Sequence, residues 1–349
     1  VKIAYLFERY PSPTETFLAR EVEALRRAGV EIEIFAVEAG EGASGIKLPS
    51  KALRLLGKGS YWRQTGITLA HQLRASGIGH VHAAWSNHIA DLAREAAGAA
   101  GLSWSFAAHA RDLWVDGGDM KAKLDSALFA VTCTRAGEAH LKKFGPSVQY
   151  APHGLELLRY EWQAWSPPSK GNPYFSIVGV GRLVEKKGWP DAVQAVEMLN
   201  ARGVHSQLTL VGEGPLRSHL DNKVNLAGSL PHSEAIEVMR RCNCLILPSR
   251  RTSDGDRDGL ANVLLEAAAL GLPIITTSAG SAADFVDEST GLLVEPENPA
   301  ALCEALLQTL HEPKATAERC RNARARVEAD FDVDKNVLPL LRAFETAIS

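Results

Sequence analysis

The chain has 349 residues, with 38 Lys and Arg against 41 Asp and Glu and a formal net charge of -3. That length points to two domains of about 150 residues each, and the near-neutral charge argues against a dedicated nucleic-acid binder, which needs a basic excess for phosphate contacts. With 46% hydrophobic and 23% charged residues the chain is too apolar for disorder, and no uninterrupted apolar run approaches the ~20 residues that cross a bilayer.

Val1–Phe7 is interrupted by Lys2 and followed by Glu8 and Arg9, so it reads as a strand and not as a signal peptide. This suggests a cytoplasmic protein, although Val1 in place of Met leaves open that the true start is missing. From there short β-branched runs alternate with helix-like stretches, the pattern of βαβ units and parallel sheets. In the first half the runs are Lys2–Phe7, Glu31–Val37, His80–Trp85, Ser103–Ala107, Ala130–Thr134 and Val148–Ala151. A helix is predicted over Thr16–Ala28, with Phe17, Val22 and Leu25 on one face and Gly29 as its stop. In the second half the strands are Ser176–Gly179, Gln207–Val211, Val224–Ala227, Cys244–Leu247, Ile274–Thr277 and Gly291–Val294. Helical patterns fill the gaps at Pro190–Arg202, Pro215–Leu220, Ser233–Arg241, Leu260–Leu270 and Pro299–His311.

Trp165–Pro173 carries three prolines and reads as a linker. The expected organisation is therefore one doubly wound sheet in residues 1–165, a second in 172–326, and a helical tail, 327–349, able to pack on either. Apolar positions Val337, Leu338, Leu341, Phe344 and Ile348 mark that tail. Two such sheets facing each other would leave a cleft at the carboxyl ends of their strands, where open α/β sheets bind ligands.

No acid occurs between Gly42 and Ala90, whereas Lys47, Lys51, Arg54, Lys58, Arg63 and Arg74 do, interleaved with Leu48, Leu53, Leu55, Leu56, Tyr61 and Trp62. This is either a solvated basic face or a surface, 47–63, that leans on anionic lipid or a pyrophosphate-bearing acceptor at the inner face of a membrane. The five cysteines, Cys133, Cys242, Cys244, Cys303 and Cys320, are scattered without a C-x-x-C pair. They read as free buried thiols, not as a zinc or disulfide framework.

Two segments carry chemistry. Val178–Gly188 places G-x-G after a predicted strand, but Val184 stands where a dinucleotide fingerprint needs its third glycine. What remains is Arg182 and, five positions on, Lys187, a planar fork and a point charge suited to a pyrophosphate. The second segment runs from Pro248 through a polar loop to a helix predicted to start near Leu260, whose unsatisfied N–H groups offer a phosphate site. Asp258 precedes that helix, and Glu266 lies about two turns inside it among apolar residues. A carboxylate there needs a partner, either ribose hydroxyls or a structural arginine. His80 and His82, two apart on a strand, have metal-ligand spacing without an evident third ligand, and packing competes with that reading. His109 follows a strand end, where binding residues belong.

The combination G-R-L-x-E-K-K-G (Gly181–Gly188), L-V-G-E-G-P-L-R (Leu210–Arg217), L-A-G-S-L (Leu226–Leu230), L-P-S (Leu247–Ser249) and Asp258-x7-Glu266-Ala267 resembles the family-four, or group-one, retaining glycosyltransferases. Exopolysaccharide and colanic-acid type enzymes are the most similar. Tyr10–Glu21, His80–Trp85 and Ala108–Asp112 look like theirs too. The resemblance implies a GT-B fold in the α/β class, and transfer of a sugar from a UDP- or GDP-sugar donor to a hydroxyl of a glycan or lipid-linked acceptor. It implies no cofactor, no metal and no nucleic-acid partner. By it, Arg182 and Lys187 would hold the donor diphosphate, Glu266 the ribose, and Asp258, where most members carry glutamate, the transferred sugar. Gly181, Gly212 and Leu230 would border the donor and its base. The backbone of Gly259, Leu260, Ala261, Asn262 and Val263 would meet sugar and phosphate. His109 would lie near the reacting carbon, and Thr14, Glu15, Thr16 and Arg111 near the acceptor. His153-Gly154 resembles the turn that closes the first domain, and Gly280–Asp284 departs from a common Gly-Gly-x-x-Glu.

Asp254-Gly-Asp256 spells a D-x-D metal motif, read as coincidence because it precedes the helix in a loop. Two other readings stay open: a sugar-nucleotide epimerase or hydrolase on the same fold, which would consume donor without acceptor, and a non-catalytic sugar-nucleotide binder. A glycan phosphorylase would be longer.

Overall fold

The computed structural model of the chain describes residues 2–12, 14–49, 58–168 and 174–348. It divides into two compact units, Val1–Gly154 with Val333–Ser349, and Leu155–Asp332.

The first unit is built on β1 (Lys2–Tyr10), β2 (Glu31–Ala39), β3 (Ser44–Gly45), β4 (His80–Ala83), β5 (Ser103–Ala108), β6 (Phe129–Thr132) and β7 (Val148–Tyr150). They pair in the order β3-β2-β1-β4-β5-β6-β7, parallel throughout. A parallel sheet is covered on both faces, so its central strands are continuously apolar; Ile3 to Phe7 are at most 1% exposed. Helix Thr16–Arg27 buries Leu18, Val22 and Leu25 on the sheet and ends before Gly29, whose φ of 93° continues the chain out of the helix.

The tail belongs to this unit. Val333, Val337, Leu340, Ala343 and Phe344 join its core, with Phe344 against Phe129, His80 and His82. Leu338 and Ile348, expected on the same face, stay more than a third exposed. Val327, grouped with the tail in the sequence, sits instead on helix Pro313–Asp330 and in the core of the second unit.

The second unit carries β8 (Phe175–Val180), β9 (Ser206–Val211), β10 (Asn225–Gly228), β11 (Cys244–Leu247), β12 (Ile274–Thr277) and β13 (Leu292–Val294), in the order β10-β9-β8-β11-β12-β13 and again all parallel. The order reverses between β8 and β11. That reversal leaves a crevice at the carboxyl edge, because the loops after the two strands run to opposite sides. Helix Asn262–Leu270 is buried from Val263 onward, the cost of placing Glu266 in an apolar stretch.

The units divide at Gly154, ahead of the proline-rich segment. Leu155 is fully buried and donates its N–H to Phe331 O at 2.8 Å. Gln163 N bonds Leu270 O at 3.1 Å, and Trp165 Nε1 bonds Asn243 O at 2.8 Å. The first part of the expected linker is therefore fastened to the second unit; residues 169–173 lie outside the described residues. So do Lys51, Arg54, Leu53, Leu55 and Leu56 of the basic stretch, and the side chain of Lys58. Among its described members, Lys47 and Arg63 are exposed and Arg74 caps the carbonyl of Ala99. No helix among the described residues is long and apolar enough to cross a membrane. All five cysteines are free thiols, four of them buried.

Candidate functional site

The β8–β11 reversal gathers the charged residues of the second unit. After β8 the chain turns through Gly181, and a short 3-10 turn, Glu185–Lys187, presents both lysines; Gly188 (φ 64°) then opens helix Trp189–Ala201. Lys187 Nζ donates to Asp258 Oδ2 at 2.7 Å, from the loop after β11. Ser249 Oγ donates to the same oxygen at 2.7 Å. Lys186, buried, is held on Asp256 Oδ1 at 3.0 Å and stands 3.8 Å from Asp258 Oδ1. Burial pushes the Asp258 carboxyl up, but the charges of Lys187 and Lys186 and the hydrogen bonds from Lys187 and Ser249 outweigh it and hold the group below its ordinary value. Arg182, in contrast, is exposed and forms no ion pair among the described residues. Its carbonyl receives Trp189 Nε1–H at 2.9 Å, so a fully buried indole anchors the backbone that carries it.

Two glycines let the backbones close in. A Cβ on Gly212 (φ 144°) would stand 2.0 Å from Gly181 O, and one on Gly188 would stand 1.9 Å from Pro248 O. The loops after β8, β9 and β11 thus interlock through main chain. Gly280 (φ 74°) approaches the main chain of Asp258 in the same way, a Cβ there falling 2.2 Å from its O.

The buried helix begins at Asn262, two residues later than the sequence suggested, and its N-cap Ala261 supplies no capping side chain. Leu260 is buried and acts as an anchor before the first turn. Glu266 is 6% exposed, and two partners from outside its helix meet it. His232 Nε2 lies 3.0 Å from Glu266 Oε1, and Tyr160 donates its hydroxyl to that oxygen at 3.4 Å. Neither residue was legible as a partner. His232 opens its own helix and Tyr160 lies before the linker, so no spacing relates them to Glu266. Leu230 packs partly buried on the core of this unit.

In the first unit, His109 follows β5 and is 6% exposed. Its Nε2 donates to Ala84 O at 3.0 Å, and a carbonyl only accepts, so that nitrogen carries the proton. His109 Nδ1 then accepts from His153 Nε2 at 3.2 Å. Burial lowers the pKa of His109 against the opposing charge of Asp112 and the Ala84 bond; it lowers His153 further, with help from His109 and Arg20. Both rings are therefore neutral near pH 7. Asp112 fixes the loop: its Oδ1 accepts from His109 N at 3.1 Å and Ala110 N at 3.0 Å, and its Oδ2 accepts from Ser86 N at 3.0 Å.

Thr14 and Glu15 lead into helix Thr16–Arg27, which Thr16 opens, and the next residue, Phe17, stacks on His153 with ring centroids 4.1 Å apart. Phe17 thereby ties the start of that helix to the histidine pair while also packing on the core of the unit. Arg111 is exposed and ion-paired to Asp116 at 2.8 Å.

The remaining motifs resolve as packing. His80 places its nitrogens 2.8 Å from Ser103 Oγ and 2.7 Å from Ser105 Oγ, and His82 Nδ1 lies 2.6 Å from Ser105 Oγ, with Phe129 and Phe344 over the rings. In the D-x-D segment, Asp256 serves Lys186 and Asp254 Oδ1 accepts from Asp256 N at 3.1 Å, closing the loop on itself.

Two all-parallel sheets of seven and six strands, with a cationic turn and a buried carboxylate at the second sheet's reversal, define a GT-B-fold protein. The fold is that of Anabaena HepE crystallised with UDP-glucose, at a TM-score of 0.77 and 15% identity over 99% of each chain. Residues 174–312, within the second unit, match the family model described as glycosyl transferases group 1. A glycogen synthase of Mycobacterium tuberculosis is 29% identical over 216 residues, 58% of this chain and 50% of its own. The putative colanic acid biosynthesis glycosyltransferase WcaL of Escherichia coli is 30% identical over 205 residues, 54% of this chain and 50% of its own. The matches span about half the length of these relatives.

Proposed function

We propose that the protein transfers a sugar, with retained anomeric configuration and without a metal, from a UDP- or GDP-sugar to a hydroxyl of a glycan or lipid-linked acceptor in cell-surface polysaccharide synthesis. The observation that carries this reading is the cationic turn at the β8–β11 reversal, where Lys187 is held by Asp258 and Ser249 while Arg182 stands without an ion pair among the described residues. The difficult step is departure of a diphosphate as positive charge grows at the sugar carbon. Charges already in place for the leaving phosphate stabilise that state without reorganising, and each such donor is worth about 3–4 kcal/mol of barrier. Arg182 and Lys187 supply them, with the N–H groups at Ala261, Asn262 and Val263. Glu266, steadied by His232 and Tyr160, takes the ribose, while Gly181, Gly212 and Leu230 border the nucleotide and Gly259 and Leu260 the phosphates. Asp258 orients Lys187 and meets the sugar. His109 serves the transferred sugar, and Thr14, Glu15, Thr16 and Arg111 the acceptor. The departing phosphate oxygen takes the acceptor proton on the same face, so no protein nucleophile is required. A peripheral membrane contact through 47–63 at the cytoplasmic face belongs to the same proposal, resting on Lys47 and Arg63 alone among the described residues.

The test is a panel of nucleoside-diphosphate sugars read by thermal shift, since a ligand at 100 times its Kd adds about 2.7 kcal/mol, followed by transfer assays. Arg182→Ala is expected to abolish most turnover in a folded protein, and EDTA to leave the wild type active. Donor consumption without any acceptor requirement, or EDTA inactivation reversed by Mn2+, would overturn the reading.

A further inference from the structure

The carboxyl ends of three neighbouring strands of the first sheet carry His109 one residue after β5, Cys133 one residue after β6, and His153 three residues after β7. Cys133 and His153 have no part in the transfer proposed above. One nitrogen of each ring and Cys133 Sγ lie within 4.8 Å of one another, and all three residues are buried.

Two further observations bear on what this cluster holds. His109 has its Nε2–H committed to Ala84 O, which leaves Nδ1 as its one lone pair and orients the ring. That is the outer hydrogen bond that a metal-bound histidine characteristically makes. His153, 8% exposed, has a buried Nδ1 with no hydrogen-bond partner at all. The cluster thus contains an oriented acceptor, an orphaned acceptor and a thiol, walled by Phe17 stacked on His153 and by Trp85 edge-on to His109 at 4.7 Å.

We propose that His109, Cys133 and His153 form a binding site for a borderline-soft divalent cation of the zinc class, and that its occupancy switches the protein off. Two imidazoles and a thiolate suit zinc and disfavour magnesium or calcium, which take oxygen ligands. Zinc bonds of about 2.0–2.3 Å separate tetrahedral ligand atoms by roughly 3.3–3.7 Å, close to the 3.2 Å between His109 Nδ1 and His153 Nε2. The Arg20 charge near His153 opposes a cation, and the Cys133 thiolate together with Asp112 beside His109 offsets it. His153 ligates through Nε2, its ring proton moving to the buried Nδ1. The net balance is one proton, lost from the Cys133 thiol, released per cation bound. The fourth position is left for water. Inhibition rests on the reading that His109 serves transfer, because the metal takes its Nδ1; binding does not rest on it.

The experiment titrates ZnCl2 into the chelator-stripped full chain against a chromophoric chelator, with wild type, Cys133→Ser and His153→Gln compared after circular dichroism shows them folded. Expected are one zinc per wild-type chain, affinity rising about tenfold per pH unit as one proton is released, and at least a 100-fold loss in both variants. Zinc should inhibit wild-type transfer reversibly, and Cys133→Ser should keep basal transfer while escaping inhibition. Absence of stoichiometric binding, or equal affinity in wild type and Cys133→Ser, overturns the site. Binding without inhibition keeps the site and overturns the role given to His109. Absence of transfer with every donor defeats the proposed function while the titration still decides the site.

Discussion

Replacing Lys187 by Met tests the charge arrangement and the stability of its setting together. The lysine side chain is 12% exposed and its partner Asp258 11%, with 2.7 Å between Nζ and Oδ2. Removing one member of a buried pair costs about 3–5 kcal/mol when the other is left alone. Here Ser249 still bonds Oδ2 at 2.7 Å and Lys186 remains 3.8 Å from Oδ1, so a loss of about 2 kcal/mol near pH 7 is expected. The sign of its pH dependence follows from the depressed carboxyl. A carboxylate whose folded pKa lies below its unfolded value stabilises above the unfolded value, and that contribution disappears as pH falls through the folded one. The urea stabilities of wild type and variant should therefore differ near pH 7 and converge as pH falls through the depressed folded value, below the ordinary carboxyl value of 3.8. Turnover at saturating donor should fall on the order of 100-fold, equivalent to about 3 kcal/mol of barrier. A folded variant with turnover within threefold of wild type, or a stability difference that does not change with pH, would refute the reasoning.

Three other substitutions probe separate links. Asp258→Asn should hurt turnover more than nucleotide affinity, because Lys187 loses its charged tether while the remaining donor contacts persist; the opposite split between kcat and KM would mean the carboxylate faces the nucleotide. Gly212→Ala should unfold or strongly destabilise the second unit, since its Cβ would fall 2.0 Å from Gly181 O; a thermal midpoint within 2–3 °C of wild type, a ΔΔG of under about 1 kcal/mol, would contradict the interlocked loops. His80, buried among serines and phenylalanines, has its pKa lowered by burial from 6.5 to about 4. Its contribution to stability is whole above pH 6.5 and is lost as pH falls toward 4, so His80→Gln should lose about 2 kcal/mol less than wild type between pH 7 and 5. Equal losses, from paired urea curves, would show that His80 does not stay neutral.

The alternation of β-branched runs with helical stretches located every strand of both sheets to within a few residues except the two-residue β3, too short to show a pattern, because strand and helix periodicities are local properties of the chain. The same is true of Gly181, Arg182, Lys187 and Asp258, whose identities and order along the chain already marked a cationic turn after a strand and an acid ahead of a helix. What the chain order did not contain is who faces whom. Glu266 finds His232 and Tyr160, Lys186 is consumed by Asp256, and Cys133 comes close to two histidines, since these contacts join residues tens of positions apart whose spacing carries no period. The tail and the proline-rich segment were ambiguous for a related reason: an amphipathic helix or an extended segment advertises that it will be covered, but the covering surface exists only once the strands have been ordered into sheets.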